Sequence, residues 1–210
     1  MKPTKDLIAN DLLKAKAVKL RPEEPFTWAS GWKSPIYCDN RVTLSYPEIR
    51  THIKGALAKL IQEKFPEVTA IAGVATGAIA PGVLVADELG LPFSYIRAKA
   101  KDHGMQNQIE GRIEEGAKVV VVEDLISTGG SSLSAVTALR QTGVEVLGMV
   151  AIYTHRLKVA EEAFEQAGLS LYTLSNYDAV IEAASETGYV TSDQLETLRE
   201  WRKNPSEWGK

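Results

Sequence analysis

Four consecutive valines, Val119 to Val122, run straight into Glu123-Asp124 and then into Leu125-Ile126-Ser127-Thr128-Gly129-Gly130-Ser131-Ser132. An unbroken β-branched run suits a strand buried on both faces of a parallel sheet. Leu133, Ala135, Val136, Ala138 and Leu139 follow at helical spacing. The stretch therefore reads as a strand–loop–helix unit with its polar residues gathered in the turn. Gly129 and Gly130 let the backbone turn tightly and approach a ligand. Ser127, Thr128, Ser131 and Ser132 supply hydroxyls, and Ser131 or Ser132 is the expected N-cap of the helix. The first-turn amides of such a helix lack intrahelical partners and can bind an anion. Glu123 and Asp124 would repel a bare phosphate. They make sense if the ligand also carries hydroxyls or a metal ion, and a sugar phosphate fits that description.

The commonest phosphate loops do not match. No lysine follows Gly130, as a P-loop requires, and no G-x-G-x-x-G follows the strand. At 210 residues the chain is long enough for one good core, and its net charge of −3 offers no general attraction for nucleic acid or an anionic membrane. No apolar run approaches the about 18 residues of a membrane span. The N-terminal residues lead into an amphipathic pattern rather than a signal-peptide core. The single cysteine, Cys38, leaves no internal disulfide. A cytoplasmic protein is expected. Cys38 itself is either a nucleophile or, more commonly for an unpaired cysteine, a packed side chain.

Taken in order, residues 4–17 carry Leu7, Ile8, Ala9, Leu12, Leu13 and Ala15 at helical intervals. Pro22 and Pro25 end regular structure. Residues 26–41 are rich in aromatics and turn formers and read as a hairpin with Ser30-Gly31 at its turn. Such a segment either suits a flat heterocyclic ligand or forms a small hydrophobic subdomain. Ser45-Tyr46-Pro47-Glu48 reads as a capping box opening a helix to about Lys64, in which His52 is a solvated or packed residue. A strand over 69–74, the small-residue loop Ala75-Thr76-Gly77-Ala78, a helix over 79–89 stopped by Gly90 and a strand over 92–96 follow. Residues 97–112 have almost no hydrophobic period, and long loops of this kind are either solvated or binding lids. After the valine strand and its helix, residues 144–153 form another strand, with Thr154-His155-Arg156 at its carboxyl end. That edge is where open α/β sheets bind ligands. Arg156 is placed there to grip a carboxylate or ring carbonyls, or else to make a surface ion pair. His155 reads equally as a capping or a solvent residue. A helix over 156–166, a strand over 169–174 and helices over 176–186 and 191–203 complete the chain; the last opens with a Thr191…Gln194 capping box. Trp201 and Trp208 are expected to pack this tail. Strand and helix alternate, which implies a three-layer α/β arrangement.

The pattern V-V-V-V-E-D-L-I-S-T-G-G-S-S resembles the phosphoribosyl-pyrophosphate motif of type I phosphoribosyltransferases. Two further segments narrow the likeness. Arg97 followed by Lys101-Asp102-His103-Gly104 is similar to the mobile catalytic loop of the orotate phosphoribosyltransferase family. Ser30-Gly31…Ser34-Pro35-Ile36-Tyr37-Cys38 resembles the hood that covers the base in that family, and Arg156 matches its orotate-binding arginine. The resemblance implies a central, mostly parallel sheet flanked by helices. It implies a single domain over 1–210, with a hood from about 1–45 plus C-terminal segments and a core from about 46–175. It also implies transfer of the phosphoribosyl group to N1 of orotate, giving orotidine 5′-phosphate and pyrophosphate in pyrimidine biosynthesis.

Carried over residue by residue, the resemblance makes Lys101, His103 and Asp124 catalytic. Glu123 and Asp124 would hold the ribose hydroxyls, and Leu125, Ile126, Ser127, Thr128, Gly129, Gly130 and Ser131 the 5′-phosphate. Arg97, Lys101 and His103 would meet the pyrophosphate. Ser127, Arg156, Tyr37 and Cys38 would contact orotate. Mg²⁺ would be carried by phosphoribosyl pyrophosphate rather than by direct protein ligands, with Glu123 and Asp124 reaching it through water. The implied assembly is a homodimer in which Arg97 enters the partner's site. The sequence departs from many relatives at Ala29, Gly77 and Ala98, where a lysine is common; Lys33 or Lys99 would have to substitute. Rival readings are a phosphoribosyltransferase for a neutral base, a regulator that senses phosphoribosyl pyrophosphate, and a general sugar-phosphate-binding protein. Arg156 speaks against the first. The acidic balance and the lack of a basic helix speak against the second.

Overall fold

A computed structural model describes residues 3–28, 30–97 and 108–209. Its chain begins with α1 (Thr4–Lys14), β1 (Val18–Leu20), β2 (Phe26–Thr27), β3 (Lys33–Ser34), β4 (Ile36–Cys38) and a 3-10 turn at Asn40–Ser45. Next come α2 (Pro47–Lys64), β5 (Ala70–Val74), α3 (Ile79–Leu89), β6 (Phe93–Ile96), β7 (Ile109–Glu110), β8 (Lys118–Ile126) and α4 (Gly130–Arg140). The chain closes with β9 (Glu145–Thr154), α5 (Lys158–Gln166), β10 (Leu171–Asn176), α6 (Tyr177–Glu186) and α7 (Ser192–Lys203).

Among the described residues the main sheet has the order β10-β9-β8-β5-β6-β7. Every pairing in it is parallel except that of the edge strand β7 with β6. The valine strand β8 lies between β5 and β9, and Val119 to Val122 are completely buried. Successive side chains of a strand point to opposite faces. Accordingly Val120 and Val122 join the apolar cluster under α1, α2 and α6, while Val119 and Val121 join the one under α4 and α5. Each such valine contributes about 1.5–3 kcal/mol relative to exposure. No helix among the described residues is long and apolar enough to cross a membrane.

Several boundaries differ from the sequence expectation, each for a local reason. The hairpin turned at Ser30-Gly31 forms as expected from β2 and β3, but it ends at Ser34: β4 turns away and pairs with β1. Ser45 does not cap α2. It closes the 3-10 turn, and Tyr46 is the N-cap without a side-chain bond. The N-cap of α4 is Gly129 in a left-handed conformation, not Ser131 or Ser132. Arg156 also has a positive φ, so α5 starts only at Lys158. The segment after Arg97 returns to the sheet as β7, with the Arg97 amide donating to the Gln108 carbonyl at 2.8 Å. The Thr191–Gln194 capping box forms as expected.

The C-terminal helix fastens the N-terminal hairpin to the sheet. Trp201 is fully buried, and its indole nitrogen donates to the Lys33 carbonyl at 3.2 Å. Its ring meets Trp28 edge-on at 5.7 Å and tilts against Tyr177 at 5.2 Å. Trp208 packs on the same cluster. Trp201→Ala is expected to destabilise the protein by about 3–5 kcal/mol, the range for truncating a buried tryptophan. The check is a chemical denaturation midpoint, and a change below about 1 kcal/mol would show that α7 adds little to the hairpin's anchorage.

Candidate active site

Because β5, β8 and β9 are parallel neighbours, their carboxyl ends open on one edge of the sheet. A cleft of about 500 Å³ lies there, within the usual size for small-molecule sites. One wall is the β8–α4 turn with Ser127, Thr128, Gly129, Ser131, Ser132 and Ser134. Glu123, Asp124 and Leu125 form the floor, Ala75, Thr76 and Gly77 a second side, and Cys38, Asp39 and Arg41 a third. Arg97 and Gln108 close the rim.

The turn is built for close backbone approach. Gly129 has φ 82°, and a Cβ there would come within 3.0 Å of the Phe164 ring. Gly130 simply begins α4 and has open space around it. With no side-chain cap on α4, its first-turn amides remain available to an anion. Ser131 faces the cleft as expected. Ser132, assigned no role beyond a possible cap, instead buries its hydroxyl against the acid pair.

The two acids have different surroundings. Glu123 is buried; one carboxylate oxygen accepts from the Ser132 hydroxyl at 2.8 Å and the other from the Asp124 amide at 3.0 Å. Burial, and next the charge of Asp124, push its carboxyl well above the usual range. Asp124 is half-buried, and its carboxylate lies against Gly77, where a Cβ would sit 2.2 Å from Oδ2. A side chain at position 77 would therefore require the Asp124 carboxylate to shift. The Asp124 carbonyl accepts from the Asn40 side-chain amide at 2.5 Å. Asn40 is buried, 84 residues away in the chain, and also accepts from the Cys38 thiol at 3.3 Å. Burial raises the Cys38 thiol, with Asp124 and Asp39 adding to it, so Cys38 is a packed thiol of the cleft wall rather than a nucleophile.

Other expected site residues are placed as follows. Arg97 lines the cleft and pairs with Glu110 at 3.3 Å. Leu125 lines it, while Ile126 is buried in the core and does not. Tyr37 is exposed beside Phe26 rather than in the cleft lining. Arg156 is also outside that lining, ion-paired with Glu161 at 3.3 Å and Asp178 at 3.2 Å. Its carbonyl accepts from Arg202. Lys33 donates to the Thr27 hydroxyl at 2.9 Å across the hairpin. Lys101, His103 and the substitute candidate Lys99 lie outside the described residues, as do Ala29 and Ala98. His155 is neither a cap nor solvated: it is buried against Trp28 at 4.9 Å, with Nδ1 3.3 Å from the Tyr153 hydroxyl. Burial, then the Arg202 charge, depress its pKa to about 3.

A model of the phosphoribosyl transferase domain matches residues 44–170. The orotate phosphoribosyltransferase of Porphyromonas gingivalis is 61% identical over 209 residues, covering 100% of both chains. The chain belongs to the orotate phosphoribosyltransferase family. Its counterpart from Cytophaga hutchinsonii is 59% identical over 203 residues, covering 97% of each chain. The crystal structure of orotate phosphoribosyltransferase from Aeropyrum pernix superposes with a TM-score of 0.76 at 28% identity, over 88% of this chain and 99% of that one. The mostly parallel sheet and its hood are thus those of type I phosphoribosyltransferases.

The surroundings of Glu123 have a consequence for stability. A carboxyl whose pKa is raised on folding stabilises the fold below its ordinary value, 4.5, and loses that contribution as pH rises through the folded value. Glu123→Gln is therefore expected to remove part of the stability loss seen on going from pH 4.5 upward. Urea midpoints of both proteins across pH check this, and parallel pH profiles would contradict it.

Proposed function

We propose that this protein transfers the phosphoribosyl group of phosphoribosyl pyrophosphate to N1 of orotate, releasing pyrophosphate and orotidine 5′-phosphate. One observation carries the reading: an acid pair and a hydroxyl-rich helix start share a cleft at the sheet's carboxyl edge, in a chain 61% identical to an orotate phosphoribosyltransferase. The first-turn amides of α4 and the hydroxyls of Ser127, Thr128 and Ser131 receive the 5′-phosphate. Asp124, half-buried and facing the cleft, accepts from the ribose hydroxyls. Glu123 supports it from behind, because both of its oxygens are already engaged within the protein.

The reaction breaks the bond between C1 of the ribose and the pyrophosphate oxygen and forms the bond from C1 to N1 of orotate. Positive charge grows on the ribose ring and negative charge on the departing group, so fixed cations near the leaving group lower the barrier. Arg97, Lys101 and His103 are the residues assigned to that role. Excluding water from C1 also keeps hydrolysis from competing. Mg²⁺ fits as an ion carried by the diphosphate. The Asp124 carboxylate offers a hard oxygen that a hydrated magnesium would reach through water. When bound, it neutralises charge on the leaving group.

For orotate, Cys38 and Ser127 supply the cleft walls. Arg156 serves orotate only after releasing Glu161 and Asp178, and both pairs are about half exposed, so each costs about 0–1 kcal/mol to open. Tyr37 serves it only by swinging inward. The homodimer, with Arg97 crossing to the partner's site, rests on the family resemblance, and the cytoplasmic location on the sequence reading of its single cysteine and N-terminal pattern. The continuous apolar cluster from α1 and β1 through the sheet to α7 supports one domain over the whole chain.

The decisive assay mixes the pure protein with orotate, phosphoribosyl pyrophosphate and Mg²⁺, and follows orotate's ultraviolet absorbance, with uracil and hypoxanthine in parallel. Mg²⁺-dependent loss with orotate alone is expected. Turnover of a neutral base in preference to orotate would overturn the assignment.

A further inference from the structure

We propose that Arg41 binds the diphosphate end of phosphoribosyl pyrophosphate by exchanging its carboxylate partner, Asp39, for phosphate oxygens. This rests on the phosphoribosyl-transfer reading and names a cation which that reading left unassigned. Three carboxylates line the cleft, those of Asp39, Glu123 and Asp124, against two guanidiniums, those of Arg41 and Arg97. A substrate bearing a monophosphate and a diphosphate needs more positive charge than that balance supplies. The Ala75–Gly77 side contributes only small side chains, and the space beside Gly77 is filled by Asp124. Lys33 is bonded to Thr27 instead. Arg41 is the cation that the described walls add to Arg97.

Its geometry already shows anion recognition. The Arg41 Nε donates to Asp39 Oδ1 at 2.7 Å and Nη2 to Oδ2 at 2.9 Å, a two-bond fork of the kind that guanidinium also makes with phosphate. The Asp39 carboxylate thus stands where a substrate oxyanion would. The Arg41 side chain is 59% exposed and that of Asp39 24%, so water reaches the guanidinium and screens the pair as it opens. The wall itself is fixed: the neighbouring Asn40 holds the Asp124 carbonyl at 2.5 Å. The α4 wall takes the 5′-phosphate and the acid pair takes the ribose hydroxyls. What remains for the Arg41 wall is a charged group at C1, and the diphosphate carries more charge than the carboxylate of orotate.

Steady-state kinetics in both directions, on the full chain and its Arg41→Ala, Arg41→Lys and Asp39→Asn variants, test the assignment. Arg41→Ala is expected to raise KM for phosphoribosyl pyrophosphate and for pyrophosphate by about tenfold or more, the loss of one charge-assisted contact. KM for orotate and for orotidine 5′-phosphate should hold, Arg41→Lys should recover part of the loss, and Asp39→Asn should lower KM for pyrophosphate. A rise confined to orotate and its nucleotide would assign the guanidinium to the base carboxylate and overturn the proposal. Calorimetric binding of pyrophosphate with Mg²⁺ reads the contact without turnover. Weakened binding to Arg41→Ala supports it, and equal affinity overturns it, whether or not orotate proves to be the base.

Discussion

Glu123 ends a strand that is buried on both faces, and its carboxyl group is held there by the Ser132 hydroxyl and the Asp124 amide. That small network governs the geometry of the cleft. It ties the end of β8 to the first turn of α4, so the turn's amides and the acid pair are held in one place. It also aims Asp124 outward, over a glycine whose missing side chain leaves the carboxylate its place. Burying a carboxyl group costs free energy unless its oxygens are bonded. Here both are, and burial still pushes its pKa upward. Stability is given up at this point to fix the position of the cleft-facing Asp124.

A second tie comes from the opposite end of the chain order. Asn40 bonds the Asp124 carbonyl from the hood side, and Trp201 bonds the Lys33 carbonyl from the C-terminal helix. The hood therefore hangs between the sheet edge and α7. His155 sits inside that joint, among Trp28, Tyr153 and Trp201, and remains neutral because burial and Arg202 oppose its charge. An apolar clasp of this kind holds the cleft's third wall without using any residue that faces the ligand.

The parts of the site carried by one contiguous segment were legible in the sequence. Val119 to Ser131 declared its strand, its turn and its helix because burial on both faces and helical spacing leave local signatures. The Thr191 capping box was legible for the same reason. The joint made by Asn40 was not, because its partner lies 84 residues away and a lone asparagine before a short 3-10 turn carries no pattern. Val18–Leu20 escaped notice because three residues are too few to show a period. Ser45 had the spacing of a cap, but the 3-10 turn claimed it first. His155 read equally as a cap or a solvent residue because two of the rings that bury it, Trp28 and Trp201, come from distant stretches of chain. Arg41 stood in the hairpin segment without a role until the fold brought it to the cleft.

The central claim is that one cleft reads a phosphate and sugar hydroxyls together. Calorimetry with ribose 5-phosphate, 2-deoxyribose 5-phosphate and ribose tests it without any turnover. Ribose 5-phosphate should bind most tightly, each missing group should weaken binding by about tenfold, and Asp124→Asn should erase the advantage over the deoxy sugar. Equal binding of the two sugar phosphates to the unsubstituted protein would contradict it.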